Sequence, residues 1–221
     1  MQPDMRPWTP ETDLPEDERM TRAMAFRDRM ATRHSCRSFS SRPVSRAVIE
    51  AAIAAAGSAP SGANRQPWHF AALSSPGAKT ALRVAVEEEE RHFYGGIGGS
   101  EWQGLLKDLG TRAEKPYLEL APWIIVAFGQ TKASDTDRFP NPHVTESVSI
   151  ACGLLLTALH MAGLATLVHT AMPARFLNRL CRRPEHERPV MLIVVGHPAE
   201  DATVPGAALE RKSLDQIASW L

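Results

Sequence analysis

The sequence predicts an α+β fold. Helical and extended stretches are interspersed, but they do not form the regular run of βαβ units that a doubly wound sheet needs. No G-x-G-x-x-G follows a strand, and there is no Walker loop. The glycines at 95, 96, 98 and 99 come after a helix, the wrong context for a phosphate cradle.

The elements can be justified in order. "PEDERMTRAMAFRDRMATRH" has helical periodicity, with Met20, Met24, Phe26 and Met30 near one stripe. "SRAVIEAAIAAAG" is a second helix, with Ser45 as N-cap and Gly57 as stop. "SAPSGANRQP" is a loop by composition, and "WHFAALS" a short strand. "SPGAKTALRVAVEEEERHFY" opens with proline near its first turn and runs as a helix to about Tyr94, where the glycines break it. "SEWQGLLKDLGTRAEKPYLELA" divides into two short helical pieces around Gly110 and Pro116. "PWIIVAFG" is a buried strand, and "HVTESVSIACGLLLTALHMAG" (143–163) a long apolar helix. "LATLVHT" is a strand, "PARFLNRLC" a helix, "PVMLIVVGHP" a strand, and "SLDQIASWL" closes the chain. With no repeat and no linker, the expectation is one domain over 21–221, preceded by a flexible arm over 1–20 in which Trp8 could pack on a partner subunit.

Bulk properties exclude several functions. Lys plus Arg and Asp plus Glu both total 25, so there is no basic excess for nonspecific nucleic-acid or membrane-surface binding. No uninterrupted apolar run approaches the ~18 residues of a span, and the amino-terminal stretch has no apolar signal core. Cys36, Cys152 and Cys181 are an odd set without CxxC spacing, which points to reduced thiols and a cytoplasmic location. The eight histidines lack metal-ligand spacing, so no metal site is expected.

Three stretches can carry chemistry. In "RHSCRSF", Arg33 and Arg37 could share one anion, since guanidinium matches phosphate geometry, though two surface arginines would read the same way. In "APSGANRQPW", the small residues Ser61, Gly62 and Ala63 let a flat ligand approach the backbone, though a plain helix-to-strand turn has the same composition. "VEEEERHFYGGIGG" runs four glutamates into an aromatic cluster and glycines. It is either a solvated helix end or the location of a ligand carboxylate.

Together, "RxSxR" and "APSGxNxQPW" about 25 residues later resemble the nitroreductase superfamily of FMN-dependent enzymes, and within it the iodotyrosine deiodinase family. Further matching stretches are "EEEE", "KPYLELAP", "ESVSIACGLLLTALHMAGL", "RPEHE", "DATVP" and "RKSLDQI", from about residue 28 to 218. The resemblance implies a central, mostly antiparallel sheet flanked by helices, in an intertwined homodimer with FMN at the interface. It makes the helix over 143–163 the expected dimer core. It implies that Arg33, His34, Ser35 and Arg37 hold the phosphate and ribityl end of FMN, with Arg211 as a second cationic contact. Pro60, Ser61 and Gly62 would lie along the cofactor, and Ala63 would offer its amide near flavin and substrate. Thr170 falls on the catalytic threonine whose hydroxyl meets flavin N5. Thr170 and His169 would both lie at the cofactor, and His169 and Val168 stand where the animal enzymes have threonines, a departure there.

The resemblance also addresses the glutamates. The family grips the amino-acid end of its substrate with a glutamate, a tyrosine four residues on and a lysine 21 residues after that; here these are Glu90, Tyr94 and Lys115. The first two share a helix face, with Cβ atoms ~5–6 Å apart. A carboxylate suits the substrate's ammonium, and an ammonium and a phenol suit its carboxylate. Glu87, Glu88 and Glu89 would need no role beyond a solvated face, and the glycines after Tyr94 would make a mobile lid.

The expected function is FMN-dependent reductive dehalogenation of halotyrosines, with reduced nicotinamide (NADPH or NADH) or a reductase as electron source. Alternatives are a general nitroreductase or quinone reductase, the flavin-destroying enzyme of cobalamin lower-base synthesis, and a flavin- or halotyrosine-binding protein without turnover. The zwitterion clasp counts against the first two, which have no use for it.

Overall fold

The computed structural model describes residues 4–7, 13–92, 104, 109–170 and 174–221. Two compact units are distinguished, 1–33 and 34–221. In the first, helix α1 (Glu16–Ala31) opens with Glu16, Asp17 and Glu18 at its positive N-terminal end and buries none of its residues. Met20, Met24 and Phe26 are exposed along it.

The second unit is built on a four-stranded sheet: β1 (Trp68–Leu73), β2 (Trp123–Gln130), β3 (Ala165–His169) and β4 (Glu187–Gly196), in the order β1-β2-β4-β3. Every neighbouring pair is antiparallel, as the resemblance implied. Both faces of the sheet are covered, so the two central strands read as apolar runs rather than alternating ones. On one face, Ile124, Val126 and Phe128 of β2 and Leu192 and Val194 of β4 meet Leu82 and Val86 of α3 (Pro76–His92), Leu118 of α4 (Tyr117–Leu120) and Leu177 of a further helix, Ala174–Leu180. On the other, Ile125, Ala127, Ile193 and Val195 meet Ile49, Ala52 and Ala56 of α2 (Arg46–Gly57) and Val148, Cys152, Leu155 and Leu159 of α5 (Val144–Met161). The helix Ala174–Leu180 is α6, and Leu214–Ile217 is α7.

Helix α5 has the length and hydropathy of a membrane span, but about a third of it is buried within the protein as the core helix of that second face. Its outer side is a different matter. Ile150, Leu154 and Met161 recur at intervals of four and seven and form one exposed apolar stripe. The second helical piece foreseen before β2 is α4; the first, apart from residue 104, lies outside the described residues, as do Trp8 and the glycines at 95–99.

Two features fix the surroundings of α3. Its buried positions Lys79, Leu82, Val86 and Glu90 form one inward stripe, apolar at its centre and charged at both ends. The Lys79 ammonium donates to the carbonyls of Glu119 (2.9 Å) and Ala121 (2.8 Å), which ties the start of α3 to the end of α4. Burial lowers the Lys79 pKa, and Glu119 opposes that. Glu90 terminates the stripe at the other end.

Candidate functional site

Glu90 is buried although it is the last of four consecutive glutamates. Helical spacing explains this: Glu90 falls four residues after Val86 on the inward stripe, whereas Glu88 and Glu89 point to solvent. Lys115, just before α4, is also buried and sets its ammonium 3.0 Å from Glu90 Oε2. The same ammonium donates to the Arg112 carbonyl. The sequence separation of 25 residues is thus closed into direct contact.

Glu87 corrects the expectation of a solvated face. Its Oε1 accepts the Lys115 backbone N–H at 2.7 Å and the Arg83 Nε–H at 2.7 Å. Arg83 reaches on to Glu119 at 2.9 Å. Burial opposes ionisation of Glu87, but the Lys115 amide and Arg83 outweigh it and hold the carboxyl below its ordinary range. Glu87 therefore positions the backbone that carries Lys115, while Glu90 faces its side chain. The Arg83–Glu87 spacing of four was a legible helix pair; its reach to Lys115 was not.

A third residue joins them. His169, at the end of β3, has Nε2 3.4 Å from Glu90 Oε1, with both side chains nearly buried. Thr170, next in the chain, is exposed. Beside β3 runs the "HSCR" segment: Ser35 bridges Thr166, and the Cys36 amide donates to the Thr166 carbonyl at 3.0 Å. His34 Nδ1 is buried there without a hydrogen-bond partner among the described residues. Arg37 lines an open cleft with Thr111, Arg112, Glu114, Lys115 and Tyr117. The Thr111 hydroxyl is buried and lacks a partner among the described residues, and no signal in the sequence marked it.

The "APSGANRQP" loop is held in a specific shape. Ala63, Asn64 and Gln66 have φ of 49°, 52° and 48°, left-handed values that L-residues rarely adopt. Ser61 Oγ accepts the Gln66 amide at 2.9 Å. A Cβ on Gly62 would lie 3.2 Å from Pro142 Cγ and 3.4 Å from His143, so glycine is needed for close approach. Arg65 donates to Asn141 at 2.9 Å and pairs with Asp137 at 3.2 Å, which anchors the loop's far side.

Arg211 is exposed and donates to the carbonyls of Ala208 and Glu210. Arg33 belongs to the first unit, where its amide donates to the Met30 carbonyl at 3.1 Å. Tyr94 lies outside the described residues. The three cysteines are free thiols. Burial pushes the Cys152 pKa up to about 12, and burial, opposed by Arg183, pushes that of Cys181 to about 11; neither serves as a nucleophile at neutral pH. Among the described residues, no cluster of histidine, cysteine and carboxylate side chains could hold a metal.

These arrangements have relatives. An iodotyrosine deiodinase of Haliscomenobacter hydrossis is 43% identical over 198 residues, 89% of this chain and 88% of that protein. Human iodotyrosine deiodinase 1 is 41% identical over 206 residues, 92% of this chain and 71% of that protein. Among solved structures, an oxidized iodotyrosine deiodinase bound to FMN and 3-iodo-L-tyrosine is 26% identical, with a TM-score of 0.74, over 86% of this chain and 96% of that one. The model of the nitroreductase family matches residues 30–197, and the chain belongs to that family.

Proposed function

We propose that this protein is an FMN-dependent reductive dehalogenase of halotyrosines. The observation that carries the reading is the buried Glu90–Lys115 pair. It sets a carboxylate and an ammonium side by side, the two charges needed to bind the ammonium and carboxylate of an amino acid. Relatives named for iodotyrosine, over 40% identical along most of the chain, support it.

The residues present suit FMN. His34 Nδ1 lacks a hydrogen-bond partner among the described residues, Arg37 lines an open cleft, and the Ser61–Gln66 turn is set in left-handed geometry. In this reading Arg33, His34, Ser35, Arg37 and Arg211 hold the phosphate end, Pro60, Ser61 and Gly62 flank the ring system, and Ala63 offers its amide. When bound, FMN supplies the electrons that reduce the carbon–halogen bond. The chain's own part is to bind and orient. Glu90 takes the substrate ammonium, Lys115 and Tyr94 take its carboxylate, and Thr170 directs its hydroxyl to the cofactor. A reduced nicotinamide or a reductase provides the electrons, in a cytoplasm where the three cysteines stay reduced. The apolar stripe Ile150, Leu154 and Met161 on α5 supports a homodimer, for which sedimentation would give about twice the 24.2 kDa of one chain.

The deciding experiment reduces the protein-bound flavin anaerobically and adds 3-iodotyrosine. Reoxidation of the flavin with stoichiometric iodide release is expected. A protein that takes up no FMN, or whose reduced flavin is untouched by 3-iodotyrosine, rules the proposal out.

A further inference from the structure

The Glu90–Lys115 pair has a neighbour that the zwitterion clasp does not require. His169 Nε2 lies 3.4 Å from Glu90 Oε1, while the Lys115 ammonium lies 3.0 Å from Oε2. Both oxygens of Glu90 thus face a group able to carry positive charge. Side-chain exposure is only 11% for His169 and 8% for Glu90, so water screens the contact poorly.

Among the described residues, the charged groups around that imidazole can be named element by element. Side chains alternate along β3: Leu167 joins the core with α3, while Val168 packs on the opposite face with α2 and α5. His169 is therefore on the α3 face with Leu167, and its register partner on β4 is the apolar Leu192. From α3 the described charged groups include Glu90 and, about one turn earlier, Glu87, engaged by Arg83 and the Lys115 amide, with Arg91 also acting on Glu87 and Lys79 at the far end of the inward stripe. From the segment before α4 they are Lys115, Arg112 and Glu114, the last two lining the open cleft. The segment flanking β3 contributes His34 and Arg37. Helix α6, on the same face, carries Arg175 and Arg179, both exposed. Glu90 lies at ion-pair distance from the imidazole.

We propose that His169 is a positioning residue that couples halotyrosine binding to pH by competing for Glu90. The inference rests on the function proposed above. With a neutral imidazole, Glu90 keeps a full share of its negative charge for the substrate ammonium. With a protonated imidazole, that ammonium enters beside two cations instead of one. Binding and protonation then oppose each other, so affinity falls as the pH drops through the titration of His169. Linkage gives the size: each unit by which bound substrate lowers the imidazole pKa is a tenfold loss of affinity between the alkaline and acidic limits.

The test measures the Kd of 3-iodotyrosine by flavin fluorescence quenching, in FMN-loaded wild type, His169→Gln and His169→Asn. Titrations are run at about pH 8 and about pH 5.5, which bracket the ordinary imidazole range. The substrate's own ionisation is common to all three proteins, so the readout is the ratio of the two Kd values, compared between proteins. The wild-type ratio is expected to exceed that of both variants by threefold or more, on the order of a half-unit shift. Equal ratios in all three overturn the proposal. The wild type supplies a second measurement that needs no variant: one of its eight histidine NMR signals should titrate at lower pH once 3-iodotyrosine is bound. No change in any of them overturns the proposal. If 3-iodotyrosine fails to bind wild type at either pH, the functional reading itself has failed. Binding with equal ratios defeats only the role of His169.

Discussion

The Lys115 ammonium lies 3.0 Å from the Glu90 carboxylate, and both side chains are almost wholly removed from water. A pair so placed is costly to break from either side, because the remaining charge stays buried without its partner. It is also a pair whose partners can each be drawn to the opposite end of an amino acid.

Replacing Glu90 by Gln keeps the shape of the side chain and removes its charge. A charge-assisted bond is worth ~1.5–3 kcal/mol, so affinity for 3-iodotyrosine should fall roughly 10- to 150-fold. Glu88→Gln is the control, since Glu88 is exposed on the far side of α3. Flavin fluorescence quenching reads both. If the two variants bind 3-iodotyrosine alike, Glu90 has no part in recognition.

Stability should report the same pair. Lys115→Met is expected to lower the free energy of unfolding by about 3–5 kcal/mol, because it strands the buried Glu90 carboxylate. Adding Glu90→Gln to Lys115→Met should recover part of that loss. Urea unfolding of the single and double variants measures the coupling, and strict additivity would mean that the two groups do not interact.

A second buried carboxylate predicts acid sensitivity. Glu187, at the start of β4, accepts two bonds from Arg183 at 2.6 Å and one from Gln130 at 2.9 Å. Burial opposes its ionisation, yet Arg183 and Gln130 prevail and hold its pKa below the ordinary value. A carboxyl depressed in the folded state stabilises fully above its unfolded pKa, and that contribution is lost as pH falls through the folded one. Stability should therefore drop below about pH 4.3, the ordinary glutamate value. Glu187→Gln should be less stable at neutral pH and should flatten this part of the profile. An unchanged acid limb would assign the loss to other groups.

Packing at the end of β4 predicts a contrast between two glycines. A Cβ at Gly196 would lie 2.6 Å from Pro122 Cδ and 3.2 Å from Phe39 Cδ1, against a ring that cannot swing aside. Gly196→Ala should cost about 1–3 kcal/mol. At Gly77, in the first turn of α3, a Cβ would meet nothing within 4 Å. Gly77→Ala should be neutral or stabilising by up to about 1 kcal/mol. Thermal denaturation separates the two.

The strands and long helices were legible because their patterns are local. β2 reads as an apolar run because both of its faces are buried, and α3 reads from its inward stripe. The role of Glu87 was not legible. The four glutamates are chemically identical, and only the 100° turn per residue, combined with the path of the chain back to Lys115, separates buried Glu90 from half-buried Glu87 and exposed Glu88 and Glu89. The resemblance set Glu90 and Lys115 around one substrate but said nothing of contact between them, and no periodicity spans the 25 residues that the fold closes. The approach of His169 to Glu90 depends on β3 lying at the edge of the sheet beside the end of α3, which no sequence pattern encodes.

The Ser61–Gln66 turn has a consequence for evolvability. Three L-residues in left-handed conformation, behind a glycine wedged against Pro142 and His143, are held there by the rest of the fold. Ordering is completed during folding, so under the proposed function a ring docking here would meet amides whose directions are already set, and the chain would lose little further entropy. The same rigidity narrows drift. At Ala63, Asn64 and Gln66 a β-branched replacement would clash with its own backbone, whereas glycine would relax the strain but loosen the turn. The segment can therefore change its chemistry only through a few small or amide side chains.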